Sequence, residues 1–222
     1  MKKKVFILSM IILSLIAAGA IYIQTRQPNP NNLLSVSLQN MNEADSFAYT
    51  ISQQQWVDGN NRQLTTILGE KGGENIRIYG QLAGTNIEMI KIQDVLYHKD
   101  PFSKEWVKYS DISVLQEAFL LELNPLSVLQ LKEAGGVVLK GQEVLNKRNC
   151  WVVSLQPSIQ NQILERFWTG FDYTLYIDKR SKTVNKAVIQ AKNKESGEPM
   201  TIEIEFSEMG KKFLIQAPEG AK

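Results

Sequence analysis

His98 is the only histidine in the chain, so any triad or proton relay that needs an imidazole has to use it. A hydrolase of that kind also needs a nucleophile on a strained strand-to-helix turn, and no Gly-x-Ser-x-Gly elbow accompanies His98. A lone histidine cannot build a multi-histidine metal centre, and at a strand end it is expected to be a surface side chain. Cys150 is likewise the only cysteine, which rules out an intramolecular disulfide and a cysteine metal cluster. It sits in the apolar run 149–153 and is expected to be a buried, inert thiol, because a reactive thiolate needs an exposed, electropositive setting. The carboxylate pairs Glu203/Glu205 and Glu117/Glu122 are the residue types of a glycosidase acid and base. In Ile202-Glu203-Ile204-Glu205-Phe206, however, period-two geometry puts both acids on one wet face. Gly72-Gly73 and Gly135-Gly136 lack the lysine of a phosphate loop and read as a turn and a helix stop. The expectation is a protein that is not an enzyme and uses no cofactor and no metal.

Charge narrows the partners. The chain has 25 Lys+Arg and 23 Asp+Glu. Setting aside Lys2, Lys3, Lys4 and Arg26, which precede every acid, leaves a domain of net charge −2 with its signs interspersed. Nucleic acid requires a clustered basic face and is excluded as a partner.

Those four basic residues flank an apolar run, 5–23, broken only by Ser9, Ser14 and Gly19. At about 1.5 Å per residue the run is long enough to cross a hydrocarbon core of about 30 Å. The excess positive charge before it places residues 1–4 in the cytoplasm and the rest outside. The expectation is a single-pass anchor in the cell membrane. The rival is a signal peptide cut near Ala18-Gly19-Ala20, although Ile21, Tyr22 and Ile23 continue the apolar run past that point. Residues 24–32, with Pro28 and Pro30, read as an extended tether, and 33–222 as one extracytoplasmic domain.

Within the domain, Leu34, Leu38 and Met41 predict an amphipathic helix. Strands are expected at about 47–57, 62–68, 75–82, 85–93, 95–98 and 106–109. They are separated by Asp58-Gly59-Asn60-Asn61, Gly72-Gly73, Ala83-Gly84 and the loop 99–103. Connections this short cannot make parallel crossovers, so the strands form an antiparallel meander. Val114, Leu115, Ala118, Phe119 and Leu121 mark a helix. Asn124-Pro125 starts another that carries Leu126, Val128 and Leu129 and stops at Gly135-Gly136. Strands resume at 137–144 and 150–155. Pro157 opens a helix with Ile159, Ile163 and Phe167 on one stripe and Leu164 and Trp168 beside it. A second meander follows at 173–177, 183–193 and 201–209, with an edge strand at 213–215.

A large antiparallel sheet has to cover its apolar face or bind something there. Phe47, Tyr49, Ile51, Ile76, Ile78, Ile87, Met89, Trp168, Phe171, Ile202, Ile204 and Phe206 are the bulky residues available to line such a cavity. Ordinary core packing is the other use of the same residues.

The order of these elements resembles the LolA-like half-barrel superfamily, and in particular its LppX/LprG-type lipid-binding lipoproteins and Gram-positive relatives. The resemblance runs from the Met41 helix and Asp45-Ser46-Phe47, through Asn124-Pro125-Leu126 and Lys140-Gly141-Gln142-Glu143, to the segment 173–179 and the ending 213–221. It implies an α+β fold, a strongly curved antiparallel sheet of about ten or eleven strands wrapped over a few helices. It also implies a hydrophobic cavity for acyl chains, and binding or transfer rather than catalysis. The chain differs from the lipoprotein members in having no N-terminal cysteine to lipidate, and an anchored domain cannot shuttle between membranes. The expected function is a membrane-anchored extracytoplasmic binding protein for a lipid or lipoprotein acyl chain. The alternative is an envelope regulatory or sensor module that contacts another protein, such as a membrane protein.

Overall fold

The computed structural model describes residues 27–221 apart from 58, 114, 115, 117–119, 121 and 122. The apolar run 5–23, the helix stripe at 114–121, Glu117, Glu122 and the side chain of Ile163 lie outside the described residues. Among the described residues no helix is long and apolar enough to cross a membrane.

Helix α1 (Pro30–Asn42) opens the domain and begins inside the stretch expected to be an extended tether. Pro30 occupies the first helical turn, where its missing N–H costs nothing. The Asn29 side chain caps that turn by accepting from Asn31 N and Asn32 N at 3.0 and 3.2 Å. Leu33, Leu34, Ser37 and Met41 form its buried face. Ser37 is satisfied within the helix, its hydroxyl donating to Leu34 O at 2.8 Å.

Eleven strands then form one antiparallel sheet. In chain order its first six are β1 (Ser46–Val57), β2 (Asn60–Gly72), β3 (Asn75–Leu82), β4 (Thr85–Ile92), β5 (Val95–Lys99) and β6 (Trp106–Tyr109). A two-stranded sheet pairs β7 (Leu131–Glu133) with β10 (Ser158–Ile159). The large sheet is completed by β8 (Val138–Leu145), β9 (Arg148–Leu155), β11 (Trp168–Asp178), β12 (Val184–Asn193) and β13 (Pro199–Ser207). The spatial order is β6-β5-β4-β3-β2-β1-β13-β12-β11-β9-β8, so β6 and β8 are its open edges. The N-terminal and C-terminal meanders join where β1 pairs with β13. This is the unclosed, curved α+β sheet that the resemblance implies.

Pairing register carries the core across the strands. One inward row runs Ile67, Ile51, Ile204, Ala187, Leu175, Val153, Leu139. The next runs Leu82, Thr65, Gln53, Ile202, Ile189, Tyr173, Leu155. Each fully buried aliphatic or aromatic side chain in these rows contributes roughly 2 kcal/mol. Helix α1 packs against β12, and Asn40 Nδ2 donates to Ser181 O and Lys182 O at 3.2 and 3.1 Å, fixing its end to the β11–β12 turn.

On the other face Lys186 lies between Glu203 and Glu205, at 2.8 and 3.3 Å. Burial works to lower the Lys186 pKa, but the two carboxylates raise it overall. The acids are therefore ion-pair partners on a solvated face, as alternation requires.

Three expectations are corrected. No helix spans 124–134. Ser127–Leu129 is a single 3-10 turn, after which Gln130 O accepts from Gln160 N at 3.0 Å and β7 pairs with β10. The backbone is thus drawn into sheet pairing before a second helical turn can form. The helix expected from Pro157 is only α2 (Gln162–Phe167), begun by the Asn161 side chain accepting from Leu164 N at 2.8 Å. Ile159 is buried in β10 whereas Phe167 is 51 % exposed, so they share no stripe. Residues 213–215 form no strand; the Phe213 backbone crosses over Gly72, whose missing Cβ would stand 3.0 Å from Phe213 O.

Candidate functional site

The two inward rows form the floor of a cavity of about 250 Å³ where they cross β1, β2, β3 and β13. Ile51, Ile67, Ile204 and Ile202 supply its apolar floor, with Leu82 at one side. The roof is Leu123, Asn124, Pro125 and Val128, and Leu164 of α2 and Trp168 of β11 close another wall.

Two buried tyrosines fasten the roof to the sheet. Tyr49 on β1 donates its hydroxyl to Leu123 O at 3.2 Å, and Tyr173 on β11 donates to Val128 O at 2.8 Å. Burial pushes both phenol pKa values up, so both remain donors at any physiological pH. The Tyr49 ring lies over Gly69 of β2, where an added Cβ would fall 2.0 Å from the ring. Glycine at that position is what lets the ring lie flat enough to reach the roof.

The polar side chains in the floor are used up among themselves. Thr65 Oγ1 donates to Gln53 Oε1 at 3.3 Å, and Gln53 Nε2 approaches Met200 Sδ at 3.2 Å. Among the described residues no buried side-chain polar atom lacks a partner. With most of its lining apolar, what the cavity can do is remove apolar surface from water.

All twelve sequence-predicted lining residues belong to one contiguous core. Ile51, Trp168, Ile202 and Ile204 line the cavity. Phe47, Tyr49, Ile78, Met89 and Phe206 are buried in the sheet's apolar face around it, and Phe47 packs edge-on against Phe206 with ring centroids 5.6 Å apart. Ile76 and Ile87 are half-buried on β3 and β4. Phe171 instead lines an open cleft of about 500 Å³ with Gln156, Glu165, Thr169 and Lys194, which shares Trp168 with the cavity. The sequence reading missed Gln53, Thr65, Ile67, Leu82 and the roof residues Leu123, Asn124, Pro125 and Val128, together with Leu164. Ile67 comes opposite Ile51 only because the β1–β2 register shifts between Gln53 and Gln54, a bulge that the turn signal does not encode.

Elsewhere, Cys150 is fully buried and burial pushes its thiol pKa up, so it is not a poised nucleophile. His98 stands near the end of β5, as expected, and is partly covered where it faces Met89 and Val107 on the neighbouring strands.

No protein-family model matches the sequence, and no curated protein matches it. Solved structures do. The chain is similar to the lipoprotein LppX of Mycobacterium tuberculosis, at 14 % identity and a TM-score of 0.59, over 85 % of this chain and 100 % of that one. It is similar to LprF of Mycobacterium bovis at 14 % identity and a TM-score of 0.58, over 88 % and 100 %. The chain shares the fold of these two structures, an unclosed, curved antiparallel half-barrel. At this identity the half-barrel is a shared architecture, and the cavity has to be argued from its own residues.

Proposed function

We propose that this chain is a non-enzymatic binding protein of the bacterial envelope that takes an acyl chain into the cavity beneath residues 123–128. The observation that carries the reading is a cavity with an apolar floor whose polar groups are already satisfied and whose roof is pinned by two tyrosines. If a methylene displaces about the volume of a water, near 30 Å³, then 250 Å³ holds about eight of them. At about 0.8 kcal/mol each, that is roughly 6 kcal/mol of burial before the costs of association. The occupant is thus the end of one chain, and a second chain would require the roof to lift. The apolar segment 5–23 is read as the membrane anchor, with the domain on the extracytoplasmic side. Since α1 starts at Pro30, the tether is six residues, 24–29, and reaches at most about 20 Å from the membrane. The domain works on lipid or lipoprotein delivered to, or drawn from, that one membrane.

Native mass spectrometry of residues 27–222, purified from a membrane-containing bacterial lysate, tests this directly. The expected result is an added mass that disappears on organic extraction and returns with phospholipid or fatty acid. Ile204→Trp should abolish it by filling the floor. A clean protein mass that takes up no lipid would overturn the reading and favour a module that contacts another protein.

A further inference from the structure

The two open edges of the sheet are unequal. β6 has four residues and little to offer a partner, whereas β8 has eight and presents Val138 and Val144 at 47 % and 71 % exposure. A long edge with exposed apolar residues is a template for another strand unless something covers it. Between the valines, Lys140 and Glu143 are exposed, and neither side chain has an ion-pair partner among the described residues.

The β8 sequence is complementary to itself. Reading outward from the midpoint between Gly141 and Gln142, an antiparallel two-fold pairing sets Val138 against Leu145, Leu139 against Val144 and Lys140 against Glu143. Each of these contacts occurs twice. In an unbroken strand this register would fail, because partners an odd number of residues apart point to opposite faces. The bulge between Leu139 and Gly141 removes the conflict. Val138 and Leu145 stand opposite Ser154 and Arg148 of β9 and so share one face; Leu139 and Val144 stand opposite Val153 and Asn149 and share the other. The residual mismatch falls on the central pair, where Gly141 has no side chain to misplace.

We propose that a second copy of this chain docks on β8 through this two-fold pairing, joining two eleven-stranded sheets edge to edge. In the sheet β9, β11 and β12 stand between β8 and β13, whose Ile202 and Ile204 lie in the cavity floor.

The test uses the full chain in detergent, with oligomeric state followed by sedimentation across a concentration series. The wild type is expected to dimerise. Lys140→Glu and Glu143→Lys, each alone, put like charges opposite one another twice per dimer and should weaken it roughly tenfold. An equimolar mixture of the two variants restores both ion pairs and should return the dimer to wild-type strength. In the double variant Leu139→Cys with Val144→Cys, mild oxidation should give an inter-chain disulfide. The two positions are about 17 Å apart within one strand, too far for an internal bond. A wild type that stays monomeric, single variants that dimerise as well as wild type, or a mixture no tighter than its components would each overturn the proposal.

Discussion

Along β9, β11 and β12 the inward side chains Val153, Tyr173, Leu175, Ile177, Ala187 and Ile189 are all at 0 % exposure. In the wing from β3 to β6 the inward Ile78, Met89 and Leu96 are buried, but Ile76, Leu82, Ile87 and Val107 beside them are only half-buried. The chemistry of the two strand sets is similar; what lies over them differs. Helix α1 packs on the C-terminal half, and Tyr173 ties the roof there with the shorter of the two tyrosine hydrogen bonds. The cavity sits at the boundary, with Ile202 and Ile204 on the side of the dense half and Leu82 from the wing. A binding site is most easily opened where few buried contacts must be broken, so the lighter wing is the side that yields.

Equal truncations on the two sides should therefore have unequal costs. Ile177→Ala leaves a cavity that the dense half cannot collapse and should cost about 4 kcal/mol in urea unfolding. Ile87→Ala should cost about 1 kcal/mol, since half of its surface is already wet. Similar values at both positions would erase the distinction. Gly69→Ala comes next, at about 3 kcal/mol, because its Cβ collides with the Tyr49 ring and must displace it from the roof. A smaller test compares the tyrosines. Tyr173→Phe strands Val128 O in a dense environment and should cost about 2 kcal/mol, whereas Tyr49→Phe should cost about 1 kcal/mol and ease ligand entry, measured as a faster on-rate for a fluorescent fatty acid.

The sheet was legible in the sequence because its signals are local. Asp58-Gly59, Gly72-Gly73 and Ala83-Gly84 punctuate strands whose alternation is clear, and 75–82 and 106–109 were bounded to the residue. The roof was not legible. Leu126, Val128 and Leu129 have helical spacing, but the run that carries them is tied to partners distant in sequence: Tyr173 on Val128 O, Gln160 on Gln130 O, and β10 along β7. The same long-range pairing took Ile159 from its expected helix. For the site, the residues Ile51, Trp168, Ile202 and Ile204 were visible as bulky groups on a sheet face. What selects them from the rest of the core is the roof's position, which no local spacing encodes.

The smallest expected effect distinguishes the outer faces. In the wing, Glu88 of β4 joins three strands, its carboxylate 3.1 Å from Arg77 of β3 and 3.0 Å from Lys99 of β5. Burial works to raise the Glu88 pKa, but the hydrogen bonds and charges of Lys99 and Arg77 outweigh it and hold the pKa below its ordinary value of 4.5. A carboxylate depressed in the folded state stabilises fully above its unfolded value, and that contribution is lost as pH falls through the lower, folded one. The wild type should therefore lose a few tenths of a kcal/mol more than Glu88→Gln as the solution is acidified from pH 6 to below 4. The loss should appear as faster amide exchange, relative to Glu88→Gln at each pH, in β3 to β5 and not in β11 or β12. Exchange that rises equally in both halves would mean that the wing is not an independent opening unit, and the light side of the sheet would then be light in burial alone.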